Sequence, residues 1–191
     1  MTSATHNMER ILLQSRKIRE LVLDSGICDS MADELVVISN DYSVSRNLGS
    51  HSFPFPYRKR DALDFIQRNR EVGKEVFAID FAMLFSGRLA GIIGLSDIDW
   101  IDRSGKVGYY VGRTFRKRGI ATAALSAVAD FSFSELKLHR LHTKAFTDNI
   151  ASIKVLGNCG FVKEGLERQA FFQDGHYRDM IAFARLDSDP V

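Results

Sequence analysis

The sequence predicts a mixed α/β fold in a single domain: a helical N-terminal third, a central group of strands, then strand, helix, strand, helix and hairpin. Three observations lead there. Apolar residues recur at helical spacing through the stretch "RDALDFIQRNREV". The period then changes to that of strands in "EVFAIDFAML" and "RLAGIIGLSDIDW". Two turn signals, "FSGR" and Asp174-Gly175, mark hairpins, the second of a kind that favours a type I′ turn.

The elements follow in order. "RELVL" (Arg19–Leu23) is β-prone and ends in the turn-like "DSG". Asp29 is placed to cap a helix, because its carboxylate can accept from the unpaired N–H groups of a first turn; Met31, Leu35 and Ile38 follow at helical spacing. "SVSRNL" is a second short helix, and Pro54 and Pro56 forbid regular structure in the loop "GSHSFPFPY". The third helix carries Leu63, Phe65 and Ile66 as its apolar stripe. After the central hairpin, "GKVGYYVG" (Gly105–Gly112) is a further strand. Ile120, Ala124, Val128 and Phe131 set an amphipathic helix from about Gly119 to Phe133. "HRLHTKAF" alternates as a strand, and "NIASIKVLGN" is a helix closed by Gly160 as a left-handed C-cap.

Composition narrows the function classes. An apolar fraction of 45% and a charged fraction of 26% are ordinary for a globular protein. A net charge of +2 is too small for general nucleic-acid binding, so any basic site is local. Cys28 and Cys159 have no paired spacing, which argues against a disulfide scaffold or a metal site and for a reducing cytoplasm. "MTSATHNMERILLQSRKIREL" has no apolar core before a small-residue cleavage site, and no stretch approaches the roughly 20 apolar residues of a membrane span. The domain is expected to run over residues 1–191, with about 1–15 as an extra or flexible segment.

One segment demands an explanation. "FRKRGIATAAL" (Phe115–Leu125) crowds Arg116, Lys117 and Arg118 before Gly119 at the mouth of a helix. A helix N-terminus presents unpaired N–H groups and partial positive charge, and so receives phosphates. Gly119 admits an anion to the backbone, Ala121 keeps the first turn slim and Thr122 adds a hydroxyl. Neither the P-loop pattern nor G-x-G-x-x-G is present here.

The loop, together with "TDNIASIKVLGNCGFVKEG" and "DGHYRDM", resembles the GNAT superfamily of acetyl-CoA-dependent N-acetyltransferases, in its RimJ/RimL-like branch. Arg116, Gly119 and Ala121 match the R/Q-x-x-G-x-G/A signature, and Asn149, Ser152 and Gly160-Phe161 match N-x-x-S…GF-x-x-EG. The resemblance implies a mostly antiparallel, twisted sheet with a V-shaped splay between two central strands. It implies acetyl-CoA as donor, its pyrophosphate against Arg116, Lys117, Arg118, Gly119, Ile120, Ala121 and Thr122. Pantetheine would pair with backbone near Val111, Gly112 and Arg113, and Asn149 and Ser152 would face the cofactor arm. The implied acceptor is an amine, foremost a protein N-terminal α-amine, with small amines such as antibiotics, amino sugars or polyamines as the alternative and a non-catalytic acyl-CoA-binding module as another. No nucleic acid or membrane partner is implied, and a homodimer stays open.

Acetyl transfer needs a neutral amine, an anchor for the developing oxyanion and a proton for the departing thiolate. A backbone N–H near Tyr110–Val111 suits the oxyanion. By the resemblance Ser152 relays a proton to the thiol, and Tyr110, Tyr109 and Tyr177 are candidates for its protonation. The carboxylate that relatives project from the penultimate strand falls on or beside Phe171, leaving Asp97, Asp99, Glu167 and His142 as substitutes. His139 and His142 lie three apart on a strand, on opposite faces, and so share no metal. Phe53, Phe55 and Tyr57, spaced by two between prolines, form either an acceptor wall or a core plug, and Phe171 is the fourth residue expected to contact the acceptor.

Overall fold

A computed structural model describes residues 10–48, 53–71 and 77–190. Eight strands form one sheet: β1 (Leu12–Gln14), β2 (Leu21–Asp24), β3 (Ile79–Phe85), β4 (Arg88–Asp99), β5 (Ser104–Val111), β6 (Arg140–Phe146), β7 (Val162–Gln173) and β8 (His176–Leu186). Their order is β1-β2-β3-β4-β5-β6-β8-β7, antiparallel except for β5 and β6. The helices are α1 (Ala32–Ser39), α2 (Tyr42–Asn47), α3 (Lys59–Glu71), α4 (Ile120–Ser134) and α5 (Ile150–Asn158). Parallel neighbours need a long crossover, and α4 supplies it between β5 and β6. The expected mixed α/β architecture is therefore present.

Strand alternation sorts the residues of β3 onto two faces. Phe81 meets Phe131 of α4 edge-on, with ring centroids 6.0 Å apart. Its neighbour Asp80 must point the other way, toward α3. The core follows the α4 face with Leu21, Leu23, Met83, Ile93, Leu125 and Val128 all buried.

Both hairpin signals produce two-residue loops. Ser86 and Gly87 have φ of 49° and 75° between the paired Phe85 and Arg88. Asp174 and Gly175 have φ of 54° and 81° between Gln173 and His176, the positive pair that a type I′ turn requires. At the end of α5, Gly160 (φ 77°) donates to Gly157 O and Phe161 N donates to Leu156 O, the paired bonds of a Schellman cap.

Three local expectations are corrected. Asp29 does not cap a helix; it lies in a 3-10 turn, Asp29–Met31, and α1 begins at Ala32. On α3 the buried stripe is Ala62 and Ile66 with Phe65 half-buried, whereas Leu63 is 40% exposed. Ala62 is small and so carries a weak hydrophobic signal, although its spacing of three and four to Phe65 and Ile66 places it on the same face. Of the N-terminal segment thought extra or flexible, residues 1–9 lie outside the described residues, but Leu12–Gln14 forms the edge strand paired with β2.

Candidate active site

β5 and β6 pair only over Ser104–Lys106 and Arg140–His142. Beyond that rung they part, and a cavity of about 1000 Å³ fills the gap. The N–H of Gly112 donates to Ala90 O at 2.8 Å. Antiparallel ladders alternate, so the N–H of Tyr110 also points to β4 while those of Tyr109 and Val111 face the gap. This makes Val111, not Tyr110, the residue whose N–H is free to meet an oxyanion. Gly112 is corrected too: its N–H is engaged, it is buried, and a Cβ there would lie 2.8 Å from Ile38. Its role is close packing. Arg113 is exposed in the 3-10 turn that follows and does not line the cavity.

The basic loop closes one end of the gap. Gly119 is the N-cap of α4 with φ 74°, a left-handed conformation that favours glycine, and no side chain caps the helix. The first intrahelical bond is Ala123 N to Gly119 O, which leaves the N–H groups of Ile120, Ala121 and Thr122 without helical acceptors. These three residues, with Lys117 and Gly119, line the cavity. The other two cations are placed differently from expectation. Arg116 lines the wall, but its guanidinium bonds Val111 O and Ser43 Oγ, both at 2.9 Å, and pairs with Asp41 at 3.0 Å. It ties the end of β5 to the start of α2. Arg118 extends over the Phe85 ring at 5.9 Å, outside the cavity lining.

Asn149 caps α5, its Oδ1 accepting from Ser152 N at 3.2 Å, and both residues line the cavity. Ser152 Oγ lies 2.9 Å from the hydroxyl of Tyr109. Burial pushes the Tyr109 phenol up to about 12, against the bond from Ser152 that lowers it. Tyr110 is on the opposite face, where its hydroxyl meets Ser39 Oγ at 2.9 Å and burial raises its pKa. The tyrosine that joins Ser152 is thus Tyr109. Strand alternation separates the two, but which one faced the gap depended on a register that the sequence does not show.

The remaining candidates divide: Asp97, Glu167 and His142 line the cavity, whereas Tyr177 and Asp99 do not. Tyr177 is 61% exposed on the closing hairpin. Asp99 accepts from Ile101 and Asp102 N–H in the β4–β5 turn. Asp97 pairs with Lys106 at 3.6 Å and Glu167 with Lys144 at 2.8 Å. His142 lines the cavity, its pKa lowered by burial and then by Arg140 and Lys106. Phe171 also lines this cavity, edge-on to Phe146 at 5.4 Å, rather than an acceptor pocket on the other face.

That other pocket, about 460 Å³, lies beneath the proline-rich loop and shares Leu48, Gly108, Tyr109 and Tyr110 with the cofactor-sized cavity. Phe53 stacks on Tyr57 at 5.1 Å and meets Tyr110 edge-on at 5.8 Å, so these two loop aromatics line the wall. Phe55 does not: it is 49% exposed and packs against Tyr42. The stretch runs through successive bends, so spacing by two does not keep one face. Tyr57 serves both roles once set as alternatives, being buried in the core as well as lining the pocket. Residues 49–52 of the loop lie outside the described residues. The acidic lining of this pocket, Asp61, Asp64 and Asp80 with Arg68, was missed. Its signal was Asp80 itself, the one ionisable residue in the apolar run "FAIDFAMLF".

With this geometry in hand, comparison with known proteins places the chain. Residues 26–162 match the acetyltransferase (GNAT) domain. The chain is 32% identical over 108 residues, 56% of its length, to a putative ribosomal N-acetyltransferase of Bacillus subtilis, of which the match spans 59%. It is 27% identical over 138 residues, 71% of its length, to the spermidine N(1)-acetyltransferase of Vibrio cholerae, of which 78% is covered. A ribosomal L7/L12 α-N-protein acetyltransferase of RimL type, solved with coenzyme A, superposes with a TM-score of 0.82 at 21% identity, covering 94% of this chain and 100% of the other. The splayed strands, the glycine-capped helix N-terminus and the matched domain together establish that the chain belongs to the GNAT acetyltransferase family, with acetyl-CoA as donor.

Proposed function

We propose that this N-acetyltransferase acts on a cationic primary amine, in first place the α-amino group of a protein N-terminus, in the cytoplasm. The observation that carries the reading is the acidic, aromatic pocket that opens beside the splay and shares Gly108–Tyr110 with the cofactor cavity. Three aspartates face one arginine there, which attracts an ammonium group. An α-amine titrates near 8 against about 10.4 for a lysine, so far more of it is neutral at working pH. The free thiols Cys28 and Cys159 suit a reducing compartment.

In this reading the pyrophosphate rests on the N–H groups of Gly119 to Thr122 with Lys117 beside them, and pantetheine threads between β5 and β6. The N–H of Val111 stabilises the oxyanion. Tyr109 and Ser152 attend the departing sulfur. A thiol titrates near 8.5, so complete proton transfer from a phenol at about 12 is uphill by roughly 5 kcal/mol. Tyr109 therefore donates a hydrogen bond to the thiolate and orients Ser152, while the proton itself arrives with help from water. Ser152→Ala and Tyr109→Phe are each expected to lower kcat by about tenfold with little change in CoA affinity. Unchanged single-turnover rates in both would remove the pair from the mechanism.

A second reading, a polyamine acceptor, is favoured by the excess of carboxylates in the pocket. Thiol release from acetyl-CoA, measured over N-terminal peptides, spermidine and amino sugars, separates the two. Higher kcat/KM for peptides supports the first reading, and higher values for spermidine replace it with the second. Turnover confined to uncharged acceptors contradicts both. Phe53→Ala is expected to raise KM for the acceptor about tenfold while CoA affinity holds, as loss of an aromatic wall does. Phe55→Ala should change neither. The opposite ranking would place the acceptor elsewhere.

A further inference from the structure

We propose that Asp80 receives the acceptor: its carboxylate holds the ammonium group and takes the proton that must leave before nitrogen can attack. This rests on the amine-acceptor reading above and names the residue that serves it.

The placement is a consequence of register. Asp80 pairs with Gly94 of β4, and Gly94 pairs with Gly108 of β5, so one row across three strands reads Asp, Gly, Gly. The carboxylate folds over Gly94, where a Cβ would lie 2.1 Å from Asp80 Oδ1. A Cβ on Gly108 would meet nothing within 4 Å. Two missing side chains therefore leave a trough from the carboxylate to the strand that borders the cofactor cavity. Neighbouring strands are about 4.8 Å apart, so an amine nitrogen or one water bridges the distance from above Gly94 to Gly108. Gly108 is itself part of both pockets.

The surroundings suit a base. Around Asp80 stand Asn69 and Arg68 of α3, Asp61 and Asp64 of the same helix, and Tyr57 and Tyr110 on the wall. Burial pushes its carboxyl up to about 6, opposed by the Asn69 hydrogen bond and the Arg68 charge. At neutral pH it is ionised, yet closer to an amine in proton affinity than an exposed aspartate.

The step balances. An N–H bond of the ammonium breaks and its proton passes to Asp80. The freed electron pair forms the C–N bond to the acetyl carbon, and the carbonyl electrons move to oxygen. Collapse breaks the C–S bond, and the second amine proton ends on the thiolate. Asp80 then returns its proton to solvent through the open pocket, giving amide, free CoA thiol and one proton per turnover.

The test uses the full chain with acetyl-CoA, a peptide bearing an N-terminal serine, and spermidine. For the wild type, kcat/KM should rise with pH through a limb near 6. Asp80→Asn should lose that limb and about a hundredfold in kcat/KM, with CoA affinity unchanged. Gly108→Ala, which meets no protein atom, should keep the melting temperature and CoA affinity but raise KM for the amine at least fivefold. An Asp80→Asn enzyme with wild-type rate and limb, or a Gly108→Ala enzyme with wild-type KM, overturns the proposal. Should neither probe be acetylated, the acceptor reading has failed, and Asp80 is judged alone. Its carboxyl resonance in the acetyl-CoA complex should still shift on adding methylammonium, and no shift overturns it.

Discussion

Replacing Gly119 by aspartate is expected to abolish acetyl-CoA binding while the protein stays folded. The position has φ 74°, and a Cβ there would approach only Ile18 Cδ1, at 3.7 Å. Sterics within the protein are therefore mild, and aspartate is among the residues that tolerate left-handed backbone, at a cost of about 1–2 kcal/mol. The decisive effect is electrostatic. A carboxylate would sit beside the N–H groups of Ile120, Ala121 and Thr122 and the positive end of α4, the place proposed above for the pyrophosphate. In the wild type, acetyl-CoA at a hundred times its Kd should stabilise by about 2.7 kcal/mol. That corresponds to a rise in Tm of roughly 5–10 °C for a chain of this size. Gly119→Asp should show no rise. Gly119→Ala, which carries the backbone strain without the charge, should lose stability but keep most of the shift. Calorimetric or fluorescence melting with and without acetyl-CoA reads both. A full shift in the aspartate variant would mean that the loop is not the phosphate cradle.

The second large effect is on stability, at Asp80. Burial raises its carboxyl from 3.8 to about 6. The unfolded chain thus gives up this proton at lower pH than the folded chain does. The stabilisation from a protonated Asp80 is complete below about pH 4 and is lost as pH rises through about 6. A shift of about two units amounts to about 3 kcal/mol. An asparagine at this position would carry no such penalty, so Asp80→Asn should match the wild type near pH 4 and exceed it by about 2–3 kcal/mol above pH 7. Denaturant melts at the two pH values measure the difference. A variant less stable than wild type at pH 7.5 would show that the ionised carboxylate is a net contributor to the fold. The expected gain has a familiar sense: stability surrendered at a residue kept for its chemistry.

How far the sequence alone reached can be traced residue by residue. The glycine-capped start of α4 was legible because it depends on local facts: a glycine followed by small residues within "FRKRGIATAAL". The hairpins were legible for the same reason, since their turns are set by residues such as Asp174 and Gly175. What failed was whatever depended on partners distant in the chain. Arg116 belongs to Asp41 and Ser43, some 75 and 73 residues away, so its guanidinium holds α2 against β5. Tyr109 and Tyr110 are neighbours whose hydroxyls meet Ser152 and Ser39 on opposite faces of the sheet. Only the strand register decides between them. Asp80 gains its meaning from Gly94 and Gly108, which stand beside it through pairings no local pattern announces.

Bridging contacts hold α2 in place along the larger cavity. Asp148, at the start of α5, pairs with Arg46 at 3.0 Å and with the buried Arg178 at 2.7 Å. Arg178 also lies 3.5 Å over the Phe146 ring and donates to Arg46 O. Tyr42 reaches across to Asp174 on the closing hairpin. These bonds tie α2 to β8, the β7–β8 turn and the start of α5. They fix one wall of the cavity between β5 and β6; under the proposed function, a fixed wall helps hold both reactants in line, which supplies much of the rate.

The most direct measurement is a structure of the protein with coenzyme A and an N-terminal serine peptide. The pyrophosphate is expected within hydrogen-bond distance of the N–H groups of Gly119 to Thr122, and the thiol beside Tyr109 and Ser152. The peptide amine is expected over Gly108, between Val111 and the Asp80 carboxylate. A pyrophosphate held elsewhere, or an amine that approaches from the exposed side of β7 with the Asp80 pocket empty, would contradict the proposed function.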